Sequence, residues 1–338
     1  MSENSQSAPS GNPCPRSLHW FAKVLVVLTF LLITVGGLVT SNDAGLSVPD
    51  WPTTYGQNMF TFPLSGMVGG ILYEHGHRLL ASGVGFLTII LAVWVSLSDR
   101  RRWMKVLGWI CLAAVILQGV LGGLTVRYFL PPEISVSHAS LALIFFCMTI
   151  TVAFATSTRW SAVAARWKEP KPAVFRFAVG VVILIFLQIL MGAYMRHTYD
   201  REVGLAVVGF PFSNGQLIPE FTDSVVLVHF IHRWFAFIVA GAIVAFGFYV
   251  LTRAKDLMHL VFPSIVLLML ILTQIMLGIL TVLTERMTLM TTLHQANGAL
   301  LFGIAYMIAL RSLFPSEAIA EEKQTVKEGR SNEYALQV

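Results

Sequence analysis

The sequence predicts an all-α polytopic membrane protein: eight transmembrane helices arranged as two pseudo-twofold-related four-helix bundles. Three observations carry that expectation. Of 338 residues, 56% are apolar and 12% charged, with a mean hydropathy of +0.71. A soluble domain carries about 25% Asp, Glu, Lys and Arg, so an ordinary water-soluble enzyme is excluded. Disorder is excluded as well, because it needs low hydrophobicity and high charge. Eight apolar runs each approach the ~20 residues that cross a bilayer. Segments of the first half recur 156 residues later.

The elements follow in order. Residues 1–19 read as a polar cytoplasmic tail, without the apolar run of a secretory signal or the repeated Arg of a transit peptide. Apolar spans lie at about 20–39, 70–97, 104–126 and 136–156, making residues 20–157 an N-terminal four-helix bundle. Residues 158–172 form a charged cytoplasmic linker. Four further spans, at about 172–195, 224–251, 258–282 and 290–310, make residues 173–312 a second bundle. A charged tail, 313–338, closes the chain.

Charge sets the orientation. One side carries Arg16, Lys23, the Arg100, Arg101, Arg102 and Lys105 cluster, then Arg159, Arg166, Lys168, Lys171, Arg176, Arg253, Lys255 and Arg311. The other is richer in acids, Asp43, Asp50, Glu133, Asp200, Glu202, Glu220, Asp223 and Glu285, with only Arg127, Arg196, Arg201 and Arg286 in compensation. The positive-inside rule then places both termini in the cytoplasm of a cell (inner) membrane. The basic residues flank apolar spans, so the expected surroundings are the lipid bilayer and no nucleic acid. Cys14, Cys111 and Cys147 are the three cysteines, two of them inside apolar runs, and they outline neither a disulfide framework nor a thiolate metal site. Two outer connections, 40–69 and 196–223, exceed the length of ordinary loops and read as functional.

The repeat organises the histidines. Gln118 to Val126 recurs as Gln274 to Val282, His138 as His294, and His77-Arg78 as His232-Arg233 one residue out of step. Each half has an even number of spans, so the two insert in the same sense, as a parallel repeat. His77 and His138 start the second and fourth helices of the first half, and His232 and His294 do so in the second. Two imidazoles at matching depth can supply the two axial ligands of one haem iron, so two bis-histidine sites toward the outer side are expected. The alternative, a hydrogen bond to a neighbouring helix, explains one intramembrane histidine better than four at equivalent positions. Gly76, Gly83, Gly85, Ala139 and Gly298 flank these histidines and would let a flat macrocycle approach; helix packing, as in the Gly119/Gly123 pair, explains glycines equally well. Arg78 and Arg233 are candidate contacts for haem propionates, or solvated interfacial cations.

The halves differ where Tyr73 to Arg78 aligns with Val228 to Arg233, which sets Glu74 opposite His229. Three residues before His77, Glu74 shares its helix face and is placed for proton transfer or for stabilising developing positive charge. Its bland reading is a structural bond to His75 or Arg78.

The run Gly36 to Pro52, containing Gly45-Leu46-Ser47 and Asp50-Trp51, followed by Glu74, His77-Arg78, His138, His232-Arg233 and His294, resembles the haem A synthase family of the CtaA and Cox15 type. The likeness runs from about Trp20 to Leu313. It implies oxidation of the C8 methyl of haem O to a formyl group, giving haem A for terminal oxidases. It further implies that His77 and His138 bind substrate haem O with Glu74 as the catalytic residue, and that His232 and His294 are axial ligands of a haem b cofactor. Haem O synthase and an unidentified electron donor are the implied partners, and the glycine-rich helix faces allow a homo-oligomer. Some members carry an outer-loop cysteine pair, whereas neither long outer loop here contains cysteine. The competing function is a bis-histidine b-type cytochrome for membrane electron transfer, in which both halves are equivalent and Glu74 is dispensable.

Overall fold

The computed structural model describes residues 14–157, 172–198, 207–254 and 257–313. The expected linker, most of both tails, and charges such as Arg159, Arg201 and Lys255 lie outside the described residues. The described chain forms eight long helices: α1 (Arg16–Ser41), α2 (Gly70–Ser98), α3 (Arg102–Arg127), α4 (Pro132–Ala155), α5 (Pro172–Thr198), α6 (Ser224–Arg253), α7 (Met258–Leu283) and α8 (Thr288–Arg311). All eight are long and apolar enough to cross a membrane, where only a helix or closed barrel satisfies every backbone polar group. The chain is a multi-pass membrane protein.

The helices outrun the apolar runs by a few residues at most ends. Apolarity marks the hydrocarbon layer, whereas a helix stops where a cap or turn stops it. Thus α4 begins at Pro132 rather than near Val136, since proline at the first helical position loses no hydrogen bond there. Likewise α6 starts where the Asp223 carboxylate accepts the amides of Val225 and Val226 at 2.8 and 2.9 Å.

Helices α1 to α4 contact one another in a closed ring, α1–α2–α3–α4–α1, and α5 to α8 do the same. The rings meet where α1 touches α8, α4 touches α5 and α4 touches α8. Lipid is as apolar as leucine, so close packing rather than dehydration holds such contacts. At the α4–α8 seam a Cβ on Gly303 would stand 2.6 Å from Phe146 Cε1. Nearby, the Thr151 hydroxyl and Tyr306 OH are 2.8 Å apart.

The duplication extends into the connections. The α3–α4 turn holds Phe129 and Leu130 at φ of 58° and 62°, and the α7–α8 turn holds Glu285 and Arg286 at 49° and 68°. Bulky side chains rarely take this left-handed region. Each turn closes alike, with Leu130 N–H donating to Thr125 O and Arg286 N–H to Thr281 O. The two long loops also match. Trp51-Pro52 and Phe210-Pro211 are both cis, and each is followed by a small turn, bridged Thr54 to Gln57 in one and Ser213 to Gln216 in the other.

Candidate functional site

The 40–69 loop folds down over α2. The Asp50 carboxylate organises its tip by accepting from the Tyr55 and Gly56 amides, each at 2.8 Å, and from the Thr53 hydroxyl at 2.5 Å. Desolvation pushes the Asp50 carboxyl up, but these hydrogen bonds outweigh it and hold the group below the usual carboxylate range. Thr54, fully buried, pairs its hydroxyl with His75 Nδ1 at 3.0 Å. The Trp51 indole lies against α3, where a Cβ on Gly123 would overlap it. Of the Gly119/Gly123 pair, Gly123 therefore seats a loop side chain, whereas Gly119 faces open space.

Beneath this loop sits Glu74, 4% exposed. Its Oε2 accepts the Val48 amide at 2.8 Å, and its Oε1 pairs with Arg78 Nη2 at 2.6 Å. Arg78 also donates to the carbonyls of Asp50 (2.7 Å), Thr53 (3.2 Å) and Val48 (2.9 Å). Its guanidinium thus clamps the loop to α2 and to the acid. In the second half Arg233 Nη2 donates to Gly209 O at 2.8 Å, the carbonyl preceding the cis Phe210-Pro211, and its Nη1 is buried without a partner. His229, in the place of Glu74, is buried at 4% exposure.

The four repeated histidines share one form of seat. His77 packs against Gly36 of α1, His138 against Gly122 of α3, His232 against Gly192 of α5 and His294 against Gly278 of α7. At each glycine a Cβ would stand 2.9 to 3.1 Å from the ring's Cε1. Gly36 and Gly192, like Gly122 and Gly278, are 156 residues apart, so the seats belong to the repeat. The glycines that flank the histidines in sequence do not seat them: Gly76, Gly83 and Gly85 face open space, and Gly298 lies against Gln274. His77 and His138 stand on α2 and α4, across the first ring from each other, and His232 and His294 stand on α6 and α8, across the second.

These imidazoles fit haem iron. Nδ1 of His77, His138 and His294 is buried without a hydrogen-bond partner, whereas buried polar atoms are normally satisfied. A histidine kept in an apolar span with its ring unbonded retains a lone pair for a ligand from outside the chain. Around the second pair amide groups stand near: Gln188 Nε2 lies 3.2 Å from His232 Nδ1, and Gln274 Nε2 lies 3.4 Å from His294 Nε2. His19 and His259, outside the repeat, have local work. His19 Nδ1 meets the Thr156 hydroxyl at 3.3 Å, and His259 Nε2 meets Arg311 O at 3.2 Å.

Comparison with known proteins identifies the family. Residues 19–306 match the COX15-CtaA family model, described as cytochrome oxidase assembly protein. The chain is 25% identical to a protein named heme A synthase from Sphingopyxis alaskensis, across 95% of this chain and 99% of that one. It is 29% identical to the heme A synthase of Halalkalibacterium halodurans, covering 88% and 98%, and 27% identical to that of Rhizorhabdus wittichii, covering 87% and 93%. With nearly all of its membrane region matched, the chain belongs to the COX15-CtaA family of cytochrome oxidase assembly proteins.

Proposed function

We propose that this protein is a haem A synthase, an oxidoreductase that converts the C8 methyl of haem O to a formyl group. The observation that carries the reading is a duplicated pair of glycine-seated histidines in which only the first half adds a buried acid, Glu74. His77 and His138 would hold substrate haem O; His232 and His294 would hold a resident haem b. When bound, the haems supply the iron redox chemistry that an unactivated methyl requires. The paired histidines would hold the haem, the 40–69 loop covers Glu74, and Glu74 supplies a carboxylate able to take up or deliver a proton. Arg233, with a buried nitrogen unpaired, is assigned to a propionate. Arg78 makes four bonds inside the protein, so its role is to hold Glu74 and the loop.

The Lys and Arg distribution supports an orientation with both termini in the cytoplasm and the loop-bearing face, near which all four histidines lie, on the outer side of the cell membrane. The eight helices are read as two bundles about a pseudo-twofold axis through the α4–α8 contact. Haem O synthase supplies the substrate, and a separate reductant supplies electrons.

Co-expression with haem O synthase, followed by pigment extraction, tests the reading. Haem A should accumulate only when this protein is present. Its absence from a haem-loaded preparation supplied with haem O and reductant would leave the b-type cytochrome as the better account.

A further inference from the structure

The four seats are not equal. One turn before the glycine on α3, α5 and α7 stands a glutamine: Gln118 before Gly122, Gln188 before Gly192, Gln274 before Gly278. Each reaches the histidine its glycine seats. Gln118 Nε2 donates to His138 O at 2.9 Å, Gln188 Nε2 to His232 O at 3.0 Å, and Gln274 Nε2 lies 3.4 Å from His294 Nε2. Gln274 is itself held, since Asn297 Nδ2 donates to its Oε1 at 2.7 Å. On α1 the equivalent position is Leu32. Among the described residues His77 therefore has its Gly36 contact but no amide on its backbone carbonyl or its ring, whereas His138, whose ring Nδ1 is equally unbonded, has its carbonyl held by Gln118; the residue before His77, Gly76, has no neighbour within 4 Å of a Cβ position.

An amide on the carbonyl of a ligand residue fixes the helix that carries it, and where an amide stands beside the ring, as for His232 and His294, it acts as an outer partner whose loss loosens metal binding by about 10- to 100-fold. We infer that His77 is the labile ligand among the four, the coordination that opens when haem enters or leaves, while Gln118, Gln188 and Gln274 are positioning residues that fix the other three. The inference rests on the reading that His77 and His138 hold the substrate. A site that must release its product needs one ligand that yields, whereas a resident cofactor needs two that do not.

The test uses the full chain carrying His232→Ala and His294→Ala, so that only the first pair can bind. It is reconstituted in lipid nanodiscs with haem O, and both the spin state by absorption and the rate of haem capture by apomyoglobin are read. Adding His77→Ala should leave haem bound in a high-spin form with affinity lowered less than about tenfold, whereas His138→Ala should lower it about 100-fold or more. Leu32→Gln should slow capture about fivefold and Gln118→Leu should speed it by a similar factor, the weight of one hydrogen bond. Should Leu32→Gln fail to accumulate, Gln118→Leu decides the matter. Equal losses from the two histidine variants, or unchanged capture in both the Leu32 and Gln118 variants, would overturn the inference while leaving the substrate site intact. If the double-alanine parent binds no haem O, the substrate-site reading falls and this inference with it.

Discussion

Removing the Arg78 guanidinium should release the 40–69 loop from the membrane face. Its side chain and that of Glu74 are 10% and 5% exposed, so the pair is buried rather than a surface ion pair of little weight. Breaking a buried pair by deleting one partner costs about 3 to 5 kcal/mol, because the remaining charge is stranded. Arg78→Ala would also orphan the carbonyls of Val48, Asp50 and Thr53, although water at the loop surface can satisfy some of these. Taking about 3 kcal/mol as the lower bound, and tenfold per 1.4 kcal/mol, local opening should rise roughly 100-fold. Hydrogen exchange by mass spectrometry in nanodiscs reads this directly, since the Val48 amide is bonded to Glu74. Peptides covering 44–57 should exchange at least about 100-fold faster, with those of α8 unchanged. Arg78→Lys should fall between, because one ammonium with three donors cannot span four acceptors in a plane. Exchange of 44–57 unaltered in Arg78→Ala would show that the loop is held by its own contacts and that the clamp is incidental.

Glu74→Gln keeps the shape and the Val48 contact but removes the charge; haem A formation should fall below detection while total haem per polypeptide is retained, as measured by pigment extraction. Gly192→Ala and Gly278→Ala place a Cβ 2.9 and 3.0 Å from the His232 and His294 rings and, on the proposed assignment, should each lower haem b content severalfold. Gly241→Ala, with open space around it, should not, and a haemochrome assay separates the cases. His229→Glu should draw Arg233 into an ion pair like that of Glu74 with Arg78 and hasten loss of haem b, read by capture in apomyoglobin. Asp50 has its folded pKa depressed by its hydrogen bonds. Its contribution to loop order is therefore complete above the ordinary Asp value of about 3.9 and is lost as pH falls through the lower folded value. Proteolysis of the loop should be flat from about pH 5 to 8 and rise only below about 4, a rise that Asp50→Asn should remove.

The spans were legible because lipid leaves the backbone no alternative to helix, so apolarity alone marks them. Their ends were less so: the apolar count starts α4 near Val136, while the fold starts it at Pro132. Glu74 and the histidine pairs were visible through the repeat, but the glycines that seat the histidines were not picked out, because they lie on the preceding helix, far off in sequence. The signal was present nevertheless, since Gly36 recurs as Gly192 and Gly122 as Gly278 at the spacing of the repeat. Arg78 was the least legible. Three of its four acceptors are backbone carbonyls, which no residue type announces, so its sequence position beside a ligand candidate pointed outward to a propionate.

The comparison of halves shows where duplication was kept and where it was broken. Seating glycines, left-handed turns and loop clamps recur. These are backbone and volume constraints, which any haem-sized guest between these helices would impose alike. The differences fall on polar positions: Glu74 against His229, Leu32 against Gln188, and Leu141 against Asn297. Their joint effect has a direction. In the first half Arg78 is neutralised from within by Glu74, so a guest's carboxylate gains little from it and leaves readily. In the second half an imidazole cannot neutralise Arg233, which keeps a buried nitrogen without a partner and gains most when an external carboxylate arrives and stays. The amides beside His232 and His294 act in the same sense. Both the charge balance and the ligand seats thus favour exchange in the first half and retention in the second, which is the division of labour that the proposed reaction requires.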